Sequence, residues 1–208
     1  MKEQQQGLKA FEKRLAAIDC RDWPVSQQID YHLVRAEMNG LEFDHRVLRP
    51  WSRDPCFYAV VTDSEPDVPA REGAEVYGVF NLWQYNLPLP EKEKAEFRAK
   101  LRAIPRILEQ AKKNLSEEAR DLWFLGMRMK KRESAILASL ANRLAQSHPD
   151  LVPYAEQAKA AVDEFRAWLE KKQSRMKAGS RIGIENFNWY MKNVHLNPYT
   201  LEEQLNII

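Results

Sequence analysis

Apolar residues return along most of the chain at three- and four-residue intervals, the spacing that gathers them on one face of an α-helix. The clearest run is Phe97, Leu101, Ile104, Leu108, Ala111 and Leu115. It predicts a helix opening at Pro90, with Pro105 inside it deleting one backbone hydrogen bond and bending the rod. Before it, Leu8, Phe11, Leu15 and Ile18 mark a short amphipathic helix that residues 19–22 break. A long helix then spans about residues 24–48, with Ile29, Leu33, Ala36, Gly40, Phe43 and Val47 on one face. Val34, Met38, Leu41 and Leu48 widen that face, so this helix is expected to pack on two sides. Gly40 in its middle suits close approach by a neighbouring helix. Pro50 disfavours helical geometry at Arg49 and ends it there.

Three more helices follow the third. One starts at Asn114 or Ser116, carries Leu122, Gly126, Met129, Ile136, Leu140 and Leu144, and stops before His148-Pro149-Asp150. Glu117 and Glu118 would complement the dipole at its start. The next covers about residues 150–176, with Leu151, Ala155, Ala158, Val162, Phe165 and Leu169 aligned. A sixth spans about 183–194, with Ile184, Phe187, Met191 and Val194 inward. After Asn197-Pro198 comes TLEEQLNII, where Thr200 and Glu203 fit a capping box and Leu201, Leu205 and Ile208 form a stripe. A rod of about 12 Å is marginal alone. Either it docks on the rest of the chain or the helix continues further.

Residues 51–89 differ in texture. Pro55, Pro66, Pro69 and Pro88 punctuate two apolar runs, 57–62 and 75–80, around an acidic loop. They are a short β-hairpin or irregular segments laid across helices, and the proline content favours the second. The expected fold is therefore all-α. It is an antiparallel bundle of about six helices with an irregular or short β-hairpin insertion near 51–89, forming a single helical domain over 1–208.

Composition narrows the function classes. Hydrophobic residues make up 44% of 208, enough for a core, and 32 Lys and Arg nearly cancel 30 Asp and Glu. A net charge of +2 argues against a dedicated nucleic-acid binder. Two cysteines, Cys20 and Cys56, are too few for a disulfide framework and read as reduced thiols. No stretch suits a membrane span, and the opening residues lack a signal-peptide core, so a cytoplasmic location is the default expectation.

Catalytic signatures are sparse. His32, His45, His148 and His195 show no zinc-ligand spacing and read as surface or capping residues. No nucleophile elbow, phosphate loop or dinucleotide fingerprint occurs. The sequence therefore names no catalytic residue, no metal ligand and no cofactor. Asp30, Glu37 and Asp44 recur every seven residues and read as a solvated or salt-bridged face. Arg128, Lys130, Lys131 and Arg132, like Lys171, Lys172, Arg175 and Lys177, read as solvated basic faces without interleaved aromatics. Glu133 falls on an apolar stripe and predicts a buried ion pair with a cation on a neighbouring helix. Asn186, Trp189, Tyr190 and Asn193, off the Phe187/Met191 face, are the candidates for lining a ligand pocket or an interface. The plainer reading is that Trp189 and Tyr190 cover a second side of the core.

Three stretches, WPVSQQIDYHLVRAEMNGLEFDHRVLRPWSRDPCFY, LRAIPRILEQAKKNL and IGIENFNWYMKNVHLNPYTLEEQLNII, together resemble the N-terminal part of the bacterial "domain of unknown function 885" family. The resemblance runs from Trp23 to the last residue. It implies a longer, mostly helical protein similar to zinc-dependent peptidases, whose H-E-x-x-P-G-H motif lies in the C-terminal part. That motif does not occur here, so none of the family's metal or catalytic residues carries over, and zinc is implied only for a full-length member. The expectation is a non-catalytic N-terminal helical region of a metallopeptidase-like hydrolase, contributing to a substrate cleft, whose partner is the missing C-terminal catalytic half. Residues 200–208 would then begin a helix leading toward that half. The alternative is a standalone binding or scaffold module that pairs with a partner or with itself as a homo-oligomer, without nucleic acid or membrane.

Overall fold

Wherever the apolar spacing is regular, the chain is helical. The computed structural model describes residues 2–65 and 79–207. In chain order the helices are α1 (Lys2–Ala16), α2 (Val25–Phe43), α3 (Pro50–Arg53), α4 (Glu91–Asn114), α5 (Arg120–Ser147), α6 (Val152–Gln173), α7 (Ile184–Asn193) and α8 (Leu201–Ile207). The strands β1 (Val61–Thr62) and β2 (Phe80–Asn81) form the sheet of this all-α protein. The chain divides into two compact units, Met1–Arg49 with Arg181–Ile208 and Pro50–Ser180.

The second unit is built on α4, α5 and α6. Every residue of the α4 and α6 stripes is buried, from Phe97 to Leu115 and from Leu151 to Leu169, none more than 4% exposed. Fully burying one such side chain contributes about 1.5–3 kcal/mol, so these stripes dominate the unit. Pro105 lies inside α4 without ending it. The α5 face is rotated from its expected position. Trp123, Gly126, Lys130, Glu133, Ile136, Leu137, Leu140 and Leu144 are buried, in place of Leu122 and Met129. Gly126 explains part of that setting. A Cβ there would lie 2.5 Å from the Cβ of Pro55, so the 3₁₀ turn Pro55–Tyr58 can sit on α5 only at a glycine.

The start of α5 also differs from the expected Asn114 or Ser116. The amides of Ser116 and Glu117 both donate to the Ser52 carbonyl, at 3.0 and 2.9 Å, which holds them in a loop. The helix begins at Arg120, whose N–H donates to the Ala178 carbonyl, while the N–H groups of Asp121 and Leu122 donate to Ser180 Oγ. Glu118 returns the bond by accepting from the amides of Lys177 and Ala178. The orphan amides of this helix start are thus capped from far along the chain. Glu118 binds that turn, and Glu117 accepts from Ser52 Oγ at 2.7 Å.

The hairpin alternative is corrected. Val61 pairs with Phe80 and Thr62 with Asn81 in parallel register, two residues per strand, whereas a hairpin is antiparallel. Val60, Val61 and Phe80 are buried in the unit's core, so burial rather than a turn sets this pairing. The rest of the 57–62 run is a 3₁₀ turn and irregular chain. Most of the acidic loop and of the 75–80 run lies outside the described residues.

In the first unit α2 runs on into a π-helical turn, Asp44–Leu48, closed by the Arg49 N–H on the Asp44 carbonyl at 2.8 Å. Arg49, denied the right-handed helix by Pro50, adopts φ 42° and ψ 53°. The α2 stripe is covered only in part. Ala36 and Phe43 are buried, and a Cβ on Gly40 would lie 3.4 Å from Val194 Cγ1, the expected close approach. Val25, Ile29, Leu33 and Val34 are 50–72% exposed, so the N-terminal half of α2 does not pack on two sides. On α1, Leu8 is buried but Phe11 is 58% exposed.

Candidate functional site

The four residues singled out from the sequence all lie on α7, and each is half-buried. Trp189 stacks on Phe43 of α2, ring centroids 5.6 Å apart and planes 10° off parallel. Tyr190 meets the same ring at 4.9 Å. These two aromatics cover the buried end of the α2 stripe. Ile184, expected inward, is 48% exposed, because the α7 side that meets α2 is set by Trp189, Tyr190 and Val194. The two asparagines tie backbone. Asn186 Nδ2 donates to the Ile182 carbonyl and Asn193 Nδ2 to the Trp189 carbonyl, both at 2.8 Å. Asn39 on α2 donates to the Asn193 carbonyl at 2.9 Å. Asn188, not singled out from the sequence, accepts from the Leu201 amide at 2.9 Å and docks α8 on α7. The capping box at Thr200 and Glu203 forms as expected.

Charge gathers beside this aromatic cluster. The Arg46 guanidinium lies over the rings of Trp189 (4.9 Å) and Phe43 (5.6 Å) and donates through Nε to Glu42 at 2.8 Å. Burial raises the Asp44 carboxyl above its usual range against the opposing pull of His45. Burial likewise raises the Tyr190 hydroxyl, with the carboxylates of Asp44 and Glu37 adding to the effect. In the acidic heptad, Asp30 and Glu37 stay exposed while Asp44 is half-buried, so the solvated face holds for the first two. A cavity of about 260 Å³ opens between α1 and the end of α2, lined by Gln5, Leu8, Lys9, Glu12, Glu42, His45 and Arg46. Its lining mixes cations with carboxylates and includes no Ser, Thr or Cys, which offers ion-pair contacts to a small polar group. Sequence reasoning placed Glu42 only beside the acidic heptad and missed Arg46 here. Their i, i+4 spacing was the available signal.

Two histidines are buried rather than at the surface, and His148 takes the capping alternative, at the C-terminal end of α5. His45 is 9% exposed with Nε2 3.2 Å from Gln4 Oε1, and His148 is 5% exposed. His148 Nε2 accepts from the Leu89 amide at 2.7 Å, satisfying a backbone group in the second unit. Glu133 is buried as expected, but its cation is Lys130, three residues away on the same helix, at 2.7 Å. Lys130, assigned to a solvated face, is 0% exposed. Rotation of the α5 face carries it inward; Arg128, Lys131 and Arg132 remain exposed. Burial lowers the Lys130 ammonium and raises the Glu133 carboxyl, each opposed by the other's charge. Burial and the neighbouring Asp54 push the Cys56 thiol up to about 12, which leaves it a poor nucleophile.

Among the described residues no group of three or more His, Cys, Asp or Glu side chains is placed to hold a metal ion. None of their helices is long and apolar enough to cross a membrane. No family model, curated protein or solved structure matches the chain.

Proposed function

We propose that the chain is a non-catalytic helical region of a metallopeptidase-like hydrolase, and that its first unit is a surface that packs against further protein. The observation that carries this reading is the open half of the α2 stripe. From Gly40 to Phe43 the stripe meets α7 and its C-terminal end, whereas Val25, Ile29 and Leu33, one helical turn apart on the same ridge, stand exposed. An α7 of 10 residues is about 15 Å long and covers only part of the α2 face. Monomeric soluble proteins seldom leave extended apolar patches bare, and a ridge at i, i+4, i+8 is the form in which one helix presents itself to another. The family resemblance supplies the partner in this reading, the catalytic half of a longer protein, with Trp189 and Tyr190 at the edge of a substrate cleft.

Two measurements test it. Mixed peptides incubated with the purified chain and zinc should stay intact, and turnover abolished by a chelator overturns the non-catalytic part. An apolar fluorescent dye should bind the chain, and Ile29→Glu with Leu33→Glu should remove most of that signal without shifting the melting temperature. Dye binding unchanged by the pair of substitutions refutes the surface. The exposed Leu205 and Ile207 of α8, 64% and 66%, favour a second reading in which copies of the chain pair with one another. Concentration-dependent light scattering separates the two, since a strict monomer counts against self-pairing.

A further inference from the structure

Lys130 and Glu133 are 0% and 1% exposed, and neither belongs to the surface discussed above. Their hydrogen bonds lead to one stretch of backbone. Lys130 Nζ donates to the Tyr58 carbonyl at 2.6 Å as well as to Glu133 Oε2. Glu133 Oε1 accepts from the Val60 amide at 2.9 Å. Residues 58–61 leave a 3₁₀ turn and enter β1, so no helix serves these backbone groups, and burial of Tyr58, Val60 and Val61 keeps water from them. A buried peptide group must find a partner or bear a desolvation cost. On the outer side of the same helical turn Arg132 reaches Asp63 Oδ1 and Ser64 Oγ, at 3.4 and 3.3 Å. From α6, the Phe165 ring closes over Lys130 Nζ at 5.6 Å.

We propose that Lys130 and Glu133 form a polar latch that holds residues 58–61 in a single register across α5, and with them the first strand. A buried ion pair kept for stability alone is a poor device. Apolar residues of similar volume often do as well or better, whereas removing one partner leaves an uncompensated charge. A pair carrying both a donor and an acceptor can serve a carbonyl and an amide of the same crossing segment. The latch also explains the rotated α5 face, because it turns positions 130 and 133 toward that backbone.

The test is amide hydrogen exchange on the whole chain. In the double variant Lys130→Met with Glu133→Leu, helical content should persist. The Val60 amide should exchange about tenfold faster or more, roughly the loss of one hydrogen bond's protection. Leu137 and Leu140 amides should change little. Lys130→Met with Glu133→Gln keeps an acceptor for the Val60 amide without a buried charge and should retain most of its protection. Val60 protection unchanged in the first double variant overturns the latch. If that variant does not fold, the wild-type chain decides. The latched Val60 amide should open together with the α5 core, and exchange at 60 about tenfold faster than at 137 and 140 overturns the proposal.

Discussion

Phe165 on α6 and Ile29 on α2 belong to equally regular apolar stripes, yet the first is 0% exposed and the second 53%. The difference lies in what surrounds them. In the second unit α6 packs along both α4 and α5, and the three stripes join β1 and β2 in one continuous cluster. Among the described residues of the first unit the buried apolar ones are Leu8, Ala36 and Phe43, and the cover over α2 comes from α1 and the short α7. An amphipathic face states that a helix needs cover. It does not state how much cover the same chain supplies.

The largest effect that would test this contrast is Phe165→Ala. Truncating a fully buried phenylalanine should cost about 3–5 kcal/mol, whereas Ile29→Ala should stay within about 0.5 kcal/mol. Denaturant unfolding followed by helical circular dichroism measures both, and similar losses would erase the distinction between the two regions. Gly126→Ala comes next. The added methyl must push against Pro55, and overpacking of this kind costs about 1–3 kcal/mol. A stable variant would mean that the turn at Pro55 yields more easily than its packing suggests.

Smaller effects belong to the first unit. Trp189→Ala removes the stacked partner of Phe43 and should cost about 2 kcal/mol, from lost half-burial and the aromatic contact. Amide exchange should quicken across α7 and the end of α2 while the α4 and α6 amides keep their protection. Uniform loss of protection across the molecule would contradict that separation. Thr200→Ala should cost about 1 kcal/mol of local helix stability, read as faster exchange in α8. The same box has a pH signature. The Thr200 amide and hydroxyl hold the Glu203 carboxyl below its ordinary range. Its contribution is therefore present above the unfolded pKa and is lost as pH falls through the lower folded value. Fraying of α8 under acid in wild type, absent from Glu203→Gln, is the expected result. Equal fraying in both removes the cap's role.

Much of the fold was legible because helix stripes are local. The α4 and α6 faces, the stop at Arg49, the close approach at Gly40 and the box at Thr200 each follow from residues a few positions apart. The start of α5 was not legible, since its caps are Ala178 and Ser180, some sixty residues away. Nor was the α5 face, where an apolar count places Met129 inward although Lys130 is the residue buried. A long cation reads as solvated until a carboxylate and a carbonyl are brought to it. For the candidate site, the sequence marked Trp189 and Tyr190 as placed against something, and Phe43 is what they meet. The bonds that tie Asn186 and Asn193 to neighbouring carbonyls depend on rotamers that no spacing encodes.

By itself, then, the sequence determined where helices form and which of their faces are apolar, because both depend on contacts within one or two turns. Tertiary structure alone decided which faces are covered, that β1 and β2 run parallel, and that a lysine and a glutamate turn inward to serve the backbone at 58–61. Those outcomes depend on groups far apart in the chain, whose burial and hydrogen bonding are settled only when the segments meet.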